Sequence, residues 1–256
     1  MKKLFFLFLL APTVTLAQYI TAEFVVLNNG TDADYNQLEK VWKVYHQKSV
    51  DSGEKLGWSV WKRTPKDEDG DGAAHYVIFN QFTSKSQRDN LMKNWSMKKA
   101  TSLMKAGLKG KMSSRTIDNI VRKDDQIKKE VRQYELQVVD ATPFVGGNLK
   151  KGDKMFFSAM TQKLDDYEQY ESEVWKPTFE REILRNNYRW WGLTKIVNRN
   201  DSAYKKPTHL VWNIPVDNGK PFMEDEDYMS GKMRSMADDY RESSGGNELI
   251  LVYSTN

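Results

Sequence analysis

The segment DYNQLEKVWK at residues 34–43 decides the fold, because it occurs twice in the chain. It returns as DYEQYESEVWK at residues 166–176, with one residue inserted. Two further matches follow at a similar offset: LGWSV at 56–60 with RWWGL at 189–193, and VIFN at 77–80 with LVWN at 210–213. Three matches in the same order predict an internal duplication.

Each half of the chain contains the same order of predicted elements. Strands are predicted from β-branched and aromatic stretches, and helices from apolar residues at helical spacing. In the first half the strands are 19–27, 56–64, 74–83 and 131–139, and the helices are 34–52 and 84–105. In the second half the strands are 155–162, 189–197, 208–214 and 248–254, and the helices are 166–187 and 226–241. Both halves therefore have the order β-α-β-β-α-β of the ferredoxin-like unit.

A ferredoxin-like unit covers one face of its sheet with two helices and leaves the other face in need of a partner. We therefore predict an α+β fold in which two ferredoxin-like repeats pack sheet to sheet as an α+β barrel within one chain. The first repeat is predicted at 18–140 and includes a basic, partly helical linker at 107–130. The second repeat is predicted at 141–256.

This duplicated arrangement resembles the dimeric α+β-barrel proteins, which include antibiotic-biosynthesis-type monooxygenases, stress-responsive barrel proteins and haem-handling relatives. Phe82-Thr83-Ser84, followed by the stretch WSMKKA at 95–100, looks like the second helix of the monooxygenase-type members. The resemblance implies a small-molecule pocket and, as in some of these monooxygenases, chemistry without a cofactor. Haem-degrading members place a His on that helix, and this sequence has no His between His75 and His209. We therefore expect no haem and no other tightly bound cofactor.

The first 17 residues have the organisation of a secretory signal peptide. Lys2 and Lys3 form a basic start, residues 4–10 form a short apolar run, and Thr15 and Ala17 place small residues at a cleavage site. We expect cleavage after Ala17 and a periplasmic or secreted protein. Because the apolar run is too short to span a bilayer and no later segment approaches that length, we expect no integral membrane segment after cleavage.

The composition excludes several classes of function. The chain has 39 basic and 35 acidic side chains, a near-balance that argues against a nucleic-acid partner. It contains no Cys, which excludes disulfides, a thiolate nucleophile and Cys-ligated metals. The basic charge is concentrated in residues 84–130, a stretch that is either a solvated helix face or a surface for an acidic partner.

Strand alternation predicts a polar and aromatic pocket between the two sheets. The duplication predicts that Trp58 and Val60, like their duplicates, lie on the helix-packed face. Val77 and Phe79 are predicted on that face too, which leaves the alternate residues facing inward. The predicted ligand-binding residues are Trp61, Asn80, Glu135, Trp190, His209 and Asn213. The alternative is a hydrogen-bond network in which these polar groups satisfy one another where the sheets meet.

Two further features suggest chemistry. His209 is the one histidine predicted on the inward face. There it is either a candidate general base or an interior histidine whose hydrogen bonds are satisfied by the protein. His46 is expected on a helix surface. Asp67, Asp69 and Asp71 alternate in DEDGDG, as in the first half of a calcium loop. Because Ile78 stands where such a loop needs a bidentate Glu, a solvated acidic hairpin is the alternative.

Three functions remain open from the sequence. The leading hypothesis is an exported protein that binds a small molecule between its two sheets. The second is a cofactor-independent, monooxygenase-like enzyme that uses the same pocket. The third is a non-catalytic module that acts through its surface. An open cavity joining Trp61, Trp190 and His209 favours the first two, and a filled interface favours the third.

Overall fold

Eight strands and the helices between them account for most of residues 18–217 and 228–255, which are the residues that the computed structural model describes. The predicted signal peptide, residues 1–17, lies outside the described residues. The strands are β1 Tyr19–Leu27, β2 Gly57–Arg63, β3 Tyr76–Phe82, β4 Lys128–Ala141, β5 Lys154–Gln162, β6 Tyr188–Arg199, β7 His209–Pro215 and β8 Arg241–Ser254.

The helices follow the predicted order, with more of them in the first half. They are α1 Asp32–Asp51, α2 Lys85–Asn94, α3 Met97–Gly107, α4 Ser114–Arg122, α5 Asp124–Ile127, α6 Tyr167–Tyr170, α7 Lys176–Leu184 and α8 Tyr228–Tyr240. A π-helical turn, Glu171–Trp175, joins α6 to α7 at the residue inserted in the second copy of the repeat. None of the helices in the described part of the chain is long and apolar enough to cross a membrane.

All eight strands form one closed antiparallel barrel. Within the first half the order is β4-β1-β3-β2, and within the second half it is β8-β5-β7-β6. The two halves join through the pairs β2–β8 and β4–β6. A closed barrel has no exposed sheet edge. The predicted fold, two ferredoxin-like units that form an α+β barrel within one chain, is therefore confirmed.

The predicted helix 84–105 is two helices with a break at Trp95. Ser84 caps α2 by accepting a hydrogen bond from the backbone N–H of Gln87, and Ser96 caps α3 in the same way from Lys99. Trp95 between them is extended, with φ −80° and ψ 141°. Trp95, at the break, lines a pocket between α1 and the sheet.

The barrel interior is an apolar core to which every strand contributes. It includes Phe24 of β1, Trp61 of β2, Phe79 of β3, Phe157 of β5 and Trp212 of β7. Edge-to-face ring pairs connect the two halves, with centroids 5.0 Å apart for Phe79 and Trp212. This core holds the two halves of the barrel together through the burial of apolar surface.

Each half has a second core between its sheet and its helices. In the first half Tyr35 and Leu38 of α1 pack on Trp58 and Val60 of β2. In the second half Phe179 of α7 packs in one cluster with Trp191 and Leu193, the duplicates of Trp58 and Val60. The predicted helix-packed face of β2 and β6 is therefore confirmed.

The predicted faces of β3, β4 and β7 are wrong. Val77 and Phe79, assigned beneath the helices, lie in the barrel interior, and so do their duplicates Leu210 and Trp212. The register explains the inversion: Trp58 lies opposite Asn80, and Val60 lies opposite Ile78. Residues opposite each other in an antiparallel pair point to the same side of the sheet. Asn80 and Ile78 therefore share the helix-covered face with Trp58.

Candidate functional site

The six residues predicted to line one inter-sheet pocket do not come together. Trp61 and Trp190 point into the barrel, as predicted. The indole N–H of Trp61 donates to the Oγ of Ser59 at 2.9 Å, and Trp190 packs against the apolar core. The space between the sheets at these two residues is occupied by the apolar side chains of the core.

The other four residues lie on helix-covered faces, so their predicted placement between the sheets is wrong. Asn80 shares a face with Trp58, as shown above, and Asn213 lies opposite Trp191 in the matching pair of the second half. His209 lies opposite Lys195, two residues beyond Leu193 on the same face of β6. Glu135 lies opposite Thr21, which in turn lies opposite Asn80. The same register rule places all four.

His209 is a satisfied interior histidine in this fold. Its side chain is fully buried, with Nδ1 2.9 Å from the Oγ1 of Thr208 and Nε2 3.2 Å from the Oε1 of Glu168. Burial lowers the pKa of His209, and the Glu168 carboxylate opposes this shift. Both ring nitrogens therefore have protein partners, and the ring packs edge-on against Tyr167 at 4.9 Å. Its suggested role as a general base stays a prediction.

Glu135 is held in a network of hydrogen bonds at one end of the first half. Its carboxylate accepts from the Tyr19 hydroxyl, from the Arg88 guanidinium and, at 3.1 Å, from the Nδ2 of Asn198. The same side chains line an open hollow on the surface. Its carboxylate therefore has three donors already in place.

The acidic hairpin loop is tied to an arginine. The carboxylate of Asp69 forms an ion pair with the buried Arg63 and accepts the backbone N–H of Lys66 at 2.8 Å. Within the described residues, no group of three His, Asp or Glu side chains is arranged to hold a metal ion. Asp67, Asp69 and Asp71 therefore do not converge on one point, and calcium binding at this loop stays a prediction.

The structure instead forms a pocket of about 290 Å³ between α1, the first-half sheet and the α2–α3 break. We call it the helix-side pocket. Its aromatic walls are Trp42 and Tyr45 from α1, Trp58 from β2, Phe82 from β3 and Trp95 from the break. Trp95 is partly exposed, at 37%, and stands on the outer side. Aromatic walls around a few polar groups are typical of sites for small organic molecules.

Lys55 is the polar centre of this pocket. The residue is only 3% exposed. Its Nζ donates to the Oδ1 of Asn80 at 2.6 Å and lies 2.9 Å from the Nδ1 of His46. Burial lowers the pKa of Lys55 to about 8, against the opposing charges of Glu23 and Glu54. Lys55 therefore exchanges its proton close to neutral pH, unlike an exposed lysine.

His46 lies in the pocket and not on the helix surface, so its predicted placement is wrong. Its ring stacks on Trp58 with centroids 4.6 Å apart and an interplanar angle of 16°. Burial is the main cause that holds the pKa of His46 well below its usual range, and the positive charge of Lys55 is the second cause. Because a neutral imidazole accepts at one nitrogen only, the Lys55 ammonium at Nδ1 places the ring proton on Nε2.

Two carboxyl groups complete the polar part of the pocket. Burial raises the pKa of Glu23 and raises that of Glu39 to about 7, while the positive charge of Lys128 opposes both shifts. Lys128 is itself paired with Asp124 at 2.8 Å. Shifted pKa values of several groups in one cavity are characteristic of functional sites.

A helical signal for part of this site was present in the sequence. Glu39, Trp42 and His46 are spaced i, i+3 and i+7, so they fall on one stripe of α1. Lys55 had no comparable signal, because it stands in the turn before β2 and meets Asn80 only when β3 pairs with β2. Asn80 does line a pocket, but on the opposite side of the sheet from the predicted one.

No family model and no curated protein matches the sequence. Solved structures match the fold over nearly the whole chain. A candidate monooxygenase from Fusobacterium nucleatum has a TM-score of 0.57 at 12% identity, covering 94% of this chain and 95% of its own. A candidate monooxygenase from Lactobacillus acidophilus has a TM-score of 0.54 at 10% identity, covering 94% and 96%. An anthrone oxidase-like protein has a TM-score of 0.52 at 12% identity, covering 92% and 91%.

These similarities establish the fold class. The chain has the architecture of the dimeric α+β-barrel proteins, with both ferredoxin-like units in one polypeptide. At identities of 10–12% the shared property is the fold. The chemistry of this chain has to be argued from its own pocket.

Proposed function

We propose that the protein binds a flat aromatic molecule in the helix-side pocket and oxidises it with O2 without a bound cofactor. The observation that carries the proposal is the position of Lys55, buried among aromatic rings and hydrogen-bonded to Asn80 and His46. Indole and phenol rings offer flat apolar faces for a planar ligand. A lysine with a pKa of about 8 is suited to removing a proton near neutral pH.

The reaction requires an electron-rich anion, because O2 accepts electrons readily from such an anion and poorly from a neutral molecule. A hydroxylated ring system with an acidic CH2 group meets this requirement. Loss of one proton gives the anion, and reaction with O2 converts the CH2 group into a carbonyl group. One oxygen atom enters the carbonyl, and the other leaves as water with the two hydrogens. The reaction is balanced without any other oxidant.

The pocket residues have separate roles in this scheme. The free amine of Lys55 takes the proton from the substrate, and the resulting ammonium group then stabilises the anion by its charge. Asn80 and neutral His46 hold the Nζ of Lys55 in place through hydrogen bonds of 2.6 and 2.9 Å. The low polarity of the surrounding rings strengthens the attraction between ammonium and anion.

The structural neighbours support this choice of reaction. Two are candidate monooxygenases, and one is an anthrone oxidase-like protein. Anthrone is a flat tricyclic ketone with an acidic CH2 group, which is the chemistry that the aromatic walls and the Lys55 amine would accommodate. We therefore propose hydroxyanthrones and related polycyclic phenols as the substrate class.

A second candidate function is binding without chemistry. It is favoured by the hydrogen bonds of Lys55, which already has two protein acceptors and would serve as a fixed cation for a ligand anion. In that case a hydroxyanthrone would bind equally well with and without O2, and it would be recovered unchanged.

The test is to incubate the purified protein with a hydroxyanthrone while recording O2 uptake and quinone absorbance. We expect the Lys55→Met variant to oxidise the substrate about 10²–10⁴-fold more slowly, the range for loss of a general base. The matched control is Lys62→Met on β2, whose Nζ pairs with Asp32 at 2.9 Å outside the pocket. Oxidation at an unchanged rate by the Lys55 variant would overturn the proposal.

We also propose that the protein acts outside the cytoplasm, in the periplasm or as a secreted protein. The support is the basic and apolar leader of residues 1–17. A reaction that needs only O2 and a substrate suits such a compartment, because it depends on no nucleotide cofactor.

A further inference from the structure

A second cavity, of about 410 Å³, opens at one end of the barrel. It is separate from the helix-side pocket: the described residues that line the two cavities are different. We call it the barrel-mouth cavity. Its floor is the end of the barrel core, formed by Phe24, Tyr134, Phe157, Ala159 and Leu210. Its volume falls within the range of small-molecule sites.

The floor is apolar and its rings are held in place. Phe24 packs edge-on against Tyr134 with centroids 5.5 Å apart and against Phe157 with centroids 5.4 Å apart. Small side chains, Ala159 on β5 and Ala74 before β3, stand beside these rings. These small side chains take up less room than the rings beside them at the mouth of the barrel.

The rim of the barrel-mouth cavity is charged but balanced. Arg63 pairs with Asp69, and its Nε donates to the carbonyl oxygen of Ala74 at 2.6 Å. Arg132 donates twice to the carboxylate of Glu130, at 2.7 and 2.9 Å. Each of these arginines therefore has an internal counter-charge, and among the described residues the rim presents no unpaired arginine to an anionic ligand.

The acidic hairpin loop closes one side of this cavity. Glu68, Asp69, Gly70 and Gly72 line it, and the Arg63–Asp69 ion pair ties the loop to the end of β2. The Arg63 guanidinium lowers the pKa of Asp69, so the ion pair persists in mildly acidic solution. The loop is thereby held at the mouth of the barrel.

We propose that the barrel-mouth cavity is a second binding site, which takes a neutral, compact apolar molecule such as an aromatic hydrocarbon or a short acyl chain. The apolar floor supplies the contact area for the ligand. Because both arginines are already paired, the ligand needs no charge of its own. The site does not depend on the oxidation proposed for the helix-side pocket.

The test uses N-phenyl-1-naphthylamine, a neutral probe whose fluorescence rises in apolar surroundings. Ala159→Phe fills the floor, and Asn247→Tyr narrows the rim from a partly exposed position. We expect each variant to weaken probe binding by about tenfold or more, a loss of roughly 1.4 kcal/mol. Lys62→Met, whose side chain lies outside both cavities, is the control and should leave binding within about twofold.

A second measurement does not depend on the folding of any variant. In wild-type protein labelled at alanine and leucine methyl groups, the probe should shift the NMR signals of Ala159 and Leu210. Shifts confined to Leu91, which lines the helix-side pocket, would overturn the proposal. The proposal would also fail if Trp95→Ala lost probe binding while the folded Ala159→Phe and Asn247→Tyr variants bound the probe normally. The absence of saturable probe binding to the wild-type protein would overturn it as well.

Discussion

The Nζ of Lys55 lies 2.9 Å from the Nδ1 of His46, so a buried cation donates to a part-buried neutral imidazole. Burial lowers the pKa of both groups, to about 8 for Lys55 and well below the usual range for His46. The pair therefore carries one positive charge at neutral pH, and the charge belongs to Lys55. This distribution leads to the first two predictions.

Oxidation of a hydroxyanthrone should become faster as the pH rises through about 8. Below this value Lys55 is protonated and cannot take a proton from the substrate, and above it the free amine predominates. The measurement is the initial rate of quinone formation from pH 6 to pH 10, corrected for the uncatalysed reaction. An enzyme-dependent rate that falls across this range would show that Lys55 does not act as the base.

Removal of the Lys55 charge should raise the pKa of His46. The positive charge of Lys55 is the second cause of the lowered His46 pKa, after burial. In the Lys55→Met variant we expect the NMR titration of His46 to move to higher pH while staying below its usual range, because burial remains. His209, which lies in the other half, serves as the internal reference. An unchanged His46 titration would contradict the contact between the two side chains.

Glu39→Gln should stabilise the protein selectively above neutral pH. The carboxyl group of Glu39 is protonated up to about pH 7 in the folded state but only up to about 4.5 in the unfolded chain. The folded state therefore binds more protons between these values, and stability falls as the pH rises through this window. Above pH 7 the variant should exceed the wild type by at most roughly 3 kcal/mol, and below pH 4.5 the two should be similar. Urea unfolding at pH 4 and pH 8 measures the difference, and equal effects at both pH values would refute it.

Trp58→Ala and Trp191→Ala should destabilise the fold to a similar extent. The two residues are 2% and 0% exposed and occupy duplicated positions beneath the helices of their own halves. Truncation of a buried aromatic side chain costs roughly 3–5 kcal/mol. Trp95→Ala, at a partly exposed position, should cost roughly 1 kcal/mol or less. Chemical denaturation provides the comparison, and losses near those of Trp95→Ala would argue against the packing described.

Export should produce a mature chain that begins at Gln18. The leader of residues 1–17 has the basic, apolar and small-residue parts that signal peptidase requires. N-terminal sequencing of protein from its own host identifies the first residue of the mature chain. In the matched variant, Ala17→Arg, removal of the leader should be blocked. Recovery of full-length wild-type protein with Lys2 and Lys3 retained would refute export by this route.

The amino-acid sequence by itself determined the architecture. The repeated segments at 34–43 and 166–176 indicated the duplication, and the order of apolar stretches identified all eight strands. These features are local: a helix stripe or a strand alternation is encoded by neighbouring residues. The ferredoxin-like units and their closure into an α+β barrel followed from that order, because each unit has one sheet face that needs a partner.

Only the tertiary structure decided which faces of β3, β4 and β7 point into the barrel. The stretch Val77-Ile78-Phe79 is apolar on both faces, so alternation alone leaves two assignments. The pairing of Trp58 with Asn80 resolves it, since opposite residues in an antiparallel pair share a side. That pairing brings Asn80 to Lys55 beneath α1 and creates the helix-side pocket. Contacts between residues far apart in the chain depend on strand register, and register is a property of the folded sheet.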